Sequence, residues 1–152
     1  MQIKNIEAVI LHREDCNEVD KRIIVFSREL GKLRLVARGV RRPKAKLRGH
    51  LELFNLVKLQ IAGRTICGVE TIDSNPKLRE NIESLETAFY IASLVVEFSL
   101  SEAPDHEMFN LVKYAFSGMI SKRDFNNKFL EILGFGGVDV KDIKKFLRSN
   151  YE

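Results

Sequence analysis

Apolar positions in the first seventy residues fall in short runs, not at helical spacing. Ile3–His12 is apolar-rich and stops at the polar stretch Arg13-Glu14-Asp15-Cys16-Asn17-Glu18. Lys21–Ser27 holds Ile23, Ile24, Val25 and Phe26. Leu33–Val40 alternates, with Leu33, Leu35 and Ala37 on one side and Arg34, Val36 and Arg38 on the other. Leu51–Ala62 offers Leu53, Leu56, Val57, Leu59 and Ile61 to a core, and Thr65–Ile72 follows a Gly63-Arg64 turn. Each run reads as a strand, by alternation or by its β-branched and aromatic content. Glu29-Leu30-Gly31-Lys32 reads as a hairpin connection, with Gly31 supplying a positive φ at no steric cost. Five short strands expose edges unless they close, so the pattern predicts a small OB-like barrel.

The period then changes. Asn75-Pro76 signals a helix start, with Asn as the cap and Pro in the first turn. From Leu85, the positions Ala88, Phe89, Ala92, Val95 and Val96 recur at steps of three and four. Ile91, Leu94 and Phe98 widen the stripe, which predicts a helix buried on most sides. Pro104-Asp105 opens a second helix carrying Met108, Leu111, Val112, Ala115 and Phe116. Ser121-Lys122-Arg123-Asp124 resembles a capping box, and it opens a third helix carrying Phe125, Phe129, Leu130, Ile132 and Leu133, stopped by Gly134. Asp139–Arg148 predicts a short last helix with Val140, Ile143, Phe146 and Leu147. The expected fold class is therefore β + α. A five-stranded OB-like barrel over residues 1–74 is followed by a small α-helical domain over residues 75–152.

Composition narrows the setting. Of 152 residues, 30% are charged and 45% apolar, which suits a globular chain. No uncharged apolar stretch is long enough to span a membrane. The start, Met1-Gln2-Ile3-Lys4-Asn5-Ile6-Glu7, lacks the apolar core of a secretory signal. Cys16 and Cys67 fit free thiols in a reducing compartment, so a cytoplasmic location and no membrane partner are expected.

Charge changes the picture most. Residues 1–70 carry 15 Lys+Arg against 8 Asp+Glu, a net +7, whereas residues 71–152 carry a net −3. The excess concentrates in Arg38-Gly-Val-Arg-Arg-Pro-Lys-Ala-Lys-Leu-Arg48, where six of eleven residues are cationic. No acid occurs between Glu29 and Glu52, whereas Lys32, Arg34, Arg38, Arg41, Arg42, Lys44, Lys46 and Arg48 all do. Gly39 and Pro43 disfavour a helix, so the run is expected to be a mobile loop. Such a density repels itself unless an anion neutralises it, and regularly spaced backbone phosphates are that anion. The eight residues are the candidate DNA contacts. Phe26 and Phe54 are the only aromatics of this half, and both sit in apolar runs. Binding through backbone charge, indifferent to sequence and steeply salt-dependent, is expected over base stacking.

Catalytic arrangements are missing. His12, His50 and His106 are scattered, and no nucleophile–base spacing can be argued. His12, Cys16, His50 and Cys67 lack a Cys-x-x-Cys pair, so neither metal nor other cofactor is expected. Gly134-Phe135-Gly136-Gly137 follows a helix and lacks the Lys-Ser/Thr of a phosphate loop, so it reads as a helix stop. Glu97 interrupts an apolar face and is expected to sit exposed at its rim, not in an ion pair.

The order Val9-Ile10-Leu11-His12, Val25-Phe26-Ser27, Gly31-Lys32-Leu33-Arg34-Leu35-Val36-Ala37-Arg38-Gly39-Val40-Arg41-Arg42-Pro43-Lys44 and Leu47-Arg48-Gly49-His50-Leu51-Glu52-Leu53-Phe54 resembles the N-terminal domain of the RecO recombination mediators. Phe129-Leu130-Glu131-Ile132-Leu133-Gly134-Phe135-Gly136-Gly137 is similar to that family's helix ending in a Gly-aromatic-Gly turn. The resemblance implies an OB-fold with a helical domain and no enzymatic activity. It implies binding and annealing of single-stranded and double-stranded DNA in recombinational repair. It also implies partnership with RecR and with the acidic C-terminal tail of single-strand-binding protein, and help in loading recombinase. On this resemblance Arg34, Arg38, Arg41, Arg42, Lys44, Lys46 and Arg48 would contact DNA. Many family members carry a four-cysteine zinc module after the turn. This chain has no cysteine beyond Cys67 and ends soon after, so a short, zinc-less member is expected. In the helical half, Lys113, Lys122, Arg123 and Lys128 are available to an acidic tail. The basic run alone leaves open an RNA-binding OB module and an adaptor for an acidic protein tail, because phosphate contacts carry little sequence identity.

Overall fold

The computed structural model describes residues 2–151. Strands β1 (Ile3–Asp15), β2 (Lys21–Ser27), β3 (Gly31–Ala37), β4 (Leu56–Ala62) and β5 (Thr65–Asp73) close into a barrel in the order β1-β2-β3-β5-β4. Neighbours are antiparallel except β3 and β5, which run parallel and meet at Val36 and Thr65. This is the five-stranded barrel of an OB-fold. Four helices follow, α1 (Ile82–Phe98), α2 (His106–Phe116), α3 (Lys122–Ile132) and α4 (Ile143–Tyr151). The β + α architecture is the one the apolar pattern predicts. No described helix is long and apolar enough to cross a membrane.

Strand β1 runs on to Asp15 because it serves two partners. Residues 3–9 pair with β4 and residues 8–15 with β2, and a bulge lies between Ile10 and His12. The polar end that reads as loop is strand because its charges are matched across the ladder. Glu14 lies opposite Arg22, and Asp15 lies opposite Lys21, with 3.6 Å between the charged groups. The unbroken apolar run Ala8-Val9-Ile10-Leu11 reflects burial on both faces. Ala8 and Ile10 enter the barrel with Ile23, Val25, Leu35, Val57 and Leu59. Val9 and Leu11 face outward, where Phe26, Phe54 and Leu56 join a core built with α1, α2 and α3. The helices thus cover one flank of the barrel.

Local differences from the sequence pattern have physical reasons. Leu51–Asn55 is not strand, because Phe54 takes φ 70° and sets its ring between Phe89 and Phe116, with centroids 5.1 Å away in each case. Asn75, also left-handed, stands at the N-cap of the next turn as expected, with its carbonyl accepting the Leu78 N–H, but its side chain makes no cap bond and donates to the Phe54 carbonyl at 2.7 Å. A single 3-10 turn occupies Pro76–Arg79, and α1 starts later under an Asn81 cap. Phe89, expected in the core, is half exposed. Helix α4 starts four residues late, where Asp142 receives the Lys145 N–H. Glu97 is not unpaired, since Arg148 grips both of its carboxylate oxygens at 2.6 and 3.1 Å. By contrast, Asp105 and Ser121 cap α2 and α3 as their positions suggest. Helix α3 ends in a Schellman turn, with Phe135 N–H on the Leu130 carbonyl and Gly134 N–H on Glu131.

Candidate nucleic-acid interface

The basic run leaves β3 at Arg38 and returns to the barrel at Leu51. It is not draped freely. Gly39 (φ 69°) gives its N–H to the Asp20 carboxylate at 2.6 Å, and Arg41 N–H reaches the Val19 carbonyl at 2.9 Å. Val40 and Leu51 are buried with the barrel core, and Leu47 packs against it. Between these anchors the backbone makes tight turns, with Arg42 N–H to Gly39, Ala45 to Arg42, Arg48 to Ala45 and Leu51 to Arg48. A one-turn 3-10 helix spans Arg48–His50. Glycine and proline do exclude an α-helix, but the apolar residues spaced through the run pin it.

The eight candidate cations separate. Arg34, Arg38, Arg42, Lys44, Lys46 and Arg48 are exposed, and no ion pair among the described residues involves them. Arg41 is partly engaged, with its guanidinium 3.3 Å from Asp15 and on the Asn17 carbonyl. Lys32 is almost wholly buried. It is 5% exposed, and its Nζ donates to the carbonyls of Val96 at 2.7 Å and Ser99 at 2.6 Å. Helix α1 has no basic residue in its own last turn, so Lys32 satisfies those end carbonyls from β3. Burial, with repulsion from Arg34, holds its amine below the usual lysine range. Lys32 therefore fastens the barrel to the helices.

Acids absent from the run in sequence reach its base in space. Asp20, from the β1–β2 turn, accepts from the Asn17 side chain and Gly39 N–H. Together with nearby Arg38 and Arg42, these bonds hold its carboxyl below the usual range. The distal cations Lys44, Lys46 and Arg48 have no such neighbour among the ion pairs described.

Other cations join the surface that the sequence pattern did not single out. Arg22, facing outward on β2, lines a groove of about 580 Å³ with Arg34 and Arg64. Arg13 and Lys21 line a smaller cleft with Arg48. Alternation along β2, with Ile23 and Val25 inward, was the available signal for Arg22. No described group of three or more His, Cys, Asp or Glu is placed to hold a metal ion. Cys16 and Cys67 are free thiols, and His50 Nδ1 lies 2.8 Å from the Thr71 hydroxyl.

In the helical half a second groove, about 750 Å³, lies between α3 and the segment leading to α4. Leu130, Phe135, Val138, Val140 and Ile143 contribute its apolar lining, and Lys122, Arg123, Glu131 and Asp139 its charged lining. Lys122 also stands 4.2 Å above the Tyr90 ring. Lys113 does not join them, because it pairs with Glu7 at 3.2 Å, and Lys128 lies 3.9 Å from Glu131.

Comparison with known proteins bears on both halves. The family model described as "Recombination protein O N terminal" matches residues 1–75. The chain is similar to the DNA repair protein RecO of Pelotomaculum thermopropionicum, 31% identical over 116 residues, covering 74% of this chain and 45% of that protein. The RecO of Dehalococcoides mccartyi strain CBDB1 is 34% identical over 70% of this chain and 44% of its own length. That of Acaryochloris marina is 38% identical over 62% and 33%. The match spans less than half the length of each of these relatives.

Proposed function

The chain belongs to the RecO family, and from that premise we propose that it is a non-enzymatic DNA-binding and strand-annealing protein of recombinational repair. The observation that carries the reading is the group of exposed cations, Arg38, Arg42, Lys44, Lys46 and Arg48, on a pinned loop of an OB barrel. Cations held at fixed positions neutralise backbone phosphates without first ordering a flexible loop. Two complementary strands whose charge is neutralised on one surface repel each other less, so they meet and pair. The step needs no proton transfer and no metal.

The test is charge reversal. Arg41→Glu, Arg42→Glu, Lys44→Glu and Lys46→Glu together should abolish binding and annealing of single strands, leaving the far-ultraviolet dichroism unchanged. The wild type should lose affinity steeply with added salt. Survival of binding in the variant, or a flat salt response, would remove the loop from the account. Matched RNA and DNA strands in competition separate this reading from an RNA-binding module.

The partner reading follows the same family premise. The α3 groove joins an apolar floor to Lys122 and Arg123, which suits a short acidic peptide ending in apolar residues seated on that side, away from Glu131 and Asp139. We assign it to the acidic tail of single-strand-binding protein. Engagement of covered strands would then precede loading of recombinase, with RecR as a further partner. Titration of the full chain with a tail peptide, against Lys122→Glu/Arg123→Glu, tests this, and unchanged affinity in the variant removes the assignment.

A further inference from the structure

Resting on the nucleic-acid reading above, we infer that the groove beside the β3–β5 seam is a second backbone contact, and that Glu102 is an internal anion which phosphate displaces from Arg64. The seam is the barrel's weakest joint, closed by one strand pair, Val36 with Thr65, and by the Arg64 carbonyl on Val36 N–H at 2.8 Å. The α1–α2 connection fills the gap, with Ser101 bridged to Lys32. The groove beside it is lined by Arg22, Arg34 and Arg64, with the nearly buried Lys32 at its wall and, among the described residues, Glu14 and Glu102 as its acids. Arg22 and Arg34 project from the same face of neighbouring strands, two register positions apart, and no described ion pair involves either.

Glu102 is held there by its backbone. It takes φ 56°, a left-handed conformation that a glutamate adopts only under constraint. Its N–H is fixed on the Lys32 carbonyl at 2.9 Å. The next residue, Ala103, presses so closely on β3 that a Cβ at Gly31 would lie 2.3 Å from its carbonyl oxygen. The carboxylate so placed meets the Arg64 guanidinium, and both side chains are more than half exposed, at 54% and 56%. An exposed pair of this kind is weak. One carboxylate on one arginine yields readily to a polyanion that engages Arg22, Arg34 and Arg64 in succession, since each added contact is made at high effective concentration. Glu102 therefore competes with phosphate for Arg64, and successive contacts along one polyanion outweigh it.

The experiment is anisotropy of a labelled polythymidine strand on the full chain across a salt series. Glu102→Gln should bind about two- to five-fold tighter. Arg64→Gln should bind more weakly, with a salt slope shallower by about 0.7. The double variant should lose the gain, because that gain acts through Arg64. Glu70→Gln, an acid removed from β5 outside the groove, should bind as wild type, which separates local displacement from a general change of charge. Glu102→Gln that folds with wild-type melting and binds no tighter overturns the inference. If that variant melts early, Arg64→Gln decides, and wild-type affinity and slope there overturn it too. Lys44→Glu/Lys46→Glu/Arg48→Glu is measured alongside. Binding retained in that variant counts against the loop reading and leaves the groove result standing.

Discussion

The two ends of the cationic run, Lys32 to Arg48, are built from the same residue types and put to different uses. At the near end Lys32 is buried against the last carbonyls of α1, and Arg41 is drawn down onto Asp15 and Asn17. At the far end Lys44, Lys46 and Arg48 stand on turns, outside every described ion pair. Cations per residue and cations available to a ligand are different quantities. A buried ammonium that already satisfies two carbonyls cannot also meet a phosphate. An exposed one with no internal partner sheds only counterions when a phosphate arrives, and that release favours binding.

Reversing the far end tests this difference most severely. Lys44→Glu/Lys46→Glu/Arg48→Glu should weaken single-strand binding on the order of 100-fold at moderate salt. A loss of only a few fold would show that the near end carries the interaction. Neutralising the same three to Gln should make the log–log salt slope shallower by about 2, at about 0.7 per lost contact. Arg41→Gln should change it by less than one such contact, because Asp15 already competes for that guanidinium.

Lys32→Met sharpens the comparison from the other side. It strips two carbonyls at the end of α1 of their donor and should cost about 1–2 kcal/mol of stability. That corresponds to a fall in Tm of roughly 3–6 °C for a chain of this size. DNA affinity should stay within experimental error of wild type, and a loss comparable to that of Lys46→Gln would return Lys32 to the interface. The smallest effect concerns a second fastener between barrel and helices. Burial pushes the Glu7 carboxyl up, but hydrogen bonds from Arg28 and Lys113 outweigh it and leave the group below its ordinary value of 4.5. A carboxyl lowered on folding adds stability that is fully present above the unfolded value and is lost as pH falls through the folded one. Glu7→Gln should therefore cost about 1 kcal/mol near neutral pH. Denaturant midpoints of wild type and variant should converge as pH drops below 4.5.

Much of the barrel was legible in the chain. Leu33, Leu35 and Ala37 point inward with Arg34 outward, as their alternation requires, and Gly31 takes its positive φ of 74°. The caps at Asp105 and Ser121 and the stop at Gly134 were equally visible, because each depends on a few adjacent backbone groups. What escaped depended on distant partners. Arg13-Glu14-Asp15 became strand through Lys21 and Arg22 across the ladder. Glu97 found Arg148 fifty-one positions away, and Arg64 found Glu102 across the seam.

By itself, then, the sequence determined the period of each segment, the inward and outward sides of the strands, and the concentration of positive charge after β3. Those properties arise from neighbours within a few residues, where backbone geometry alone relates one side chain to the next. Only the tertiary structure decided which of those charges remain available. Pairing brings Asp15, Asp20 and the end of α1 against a run that has no acid of its own, and Coulomb's law counts distance through space, not along the chain.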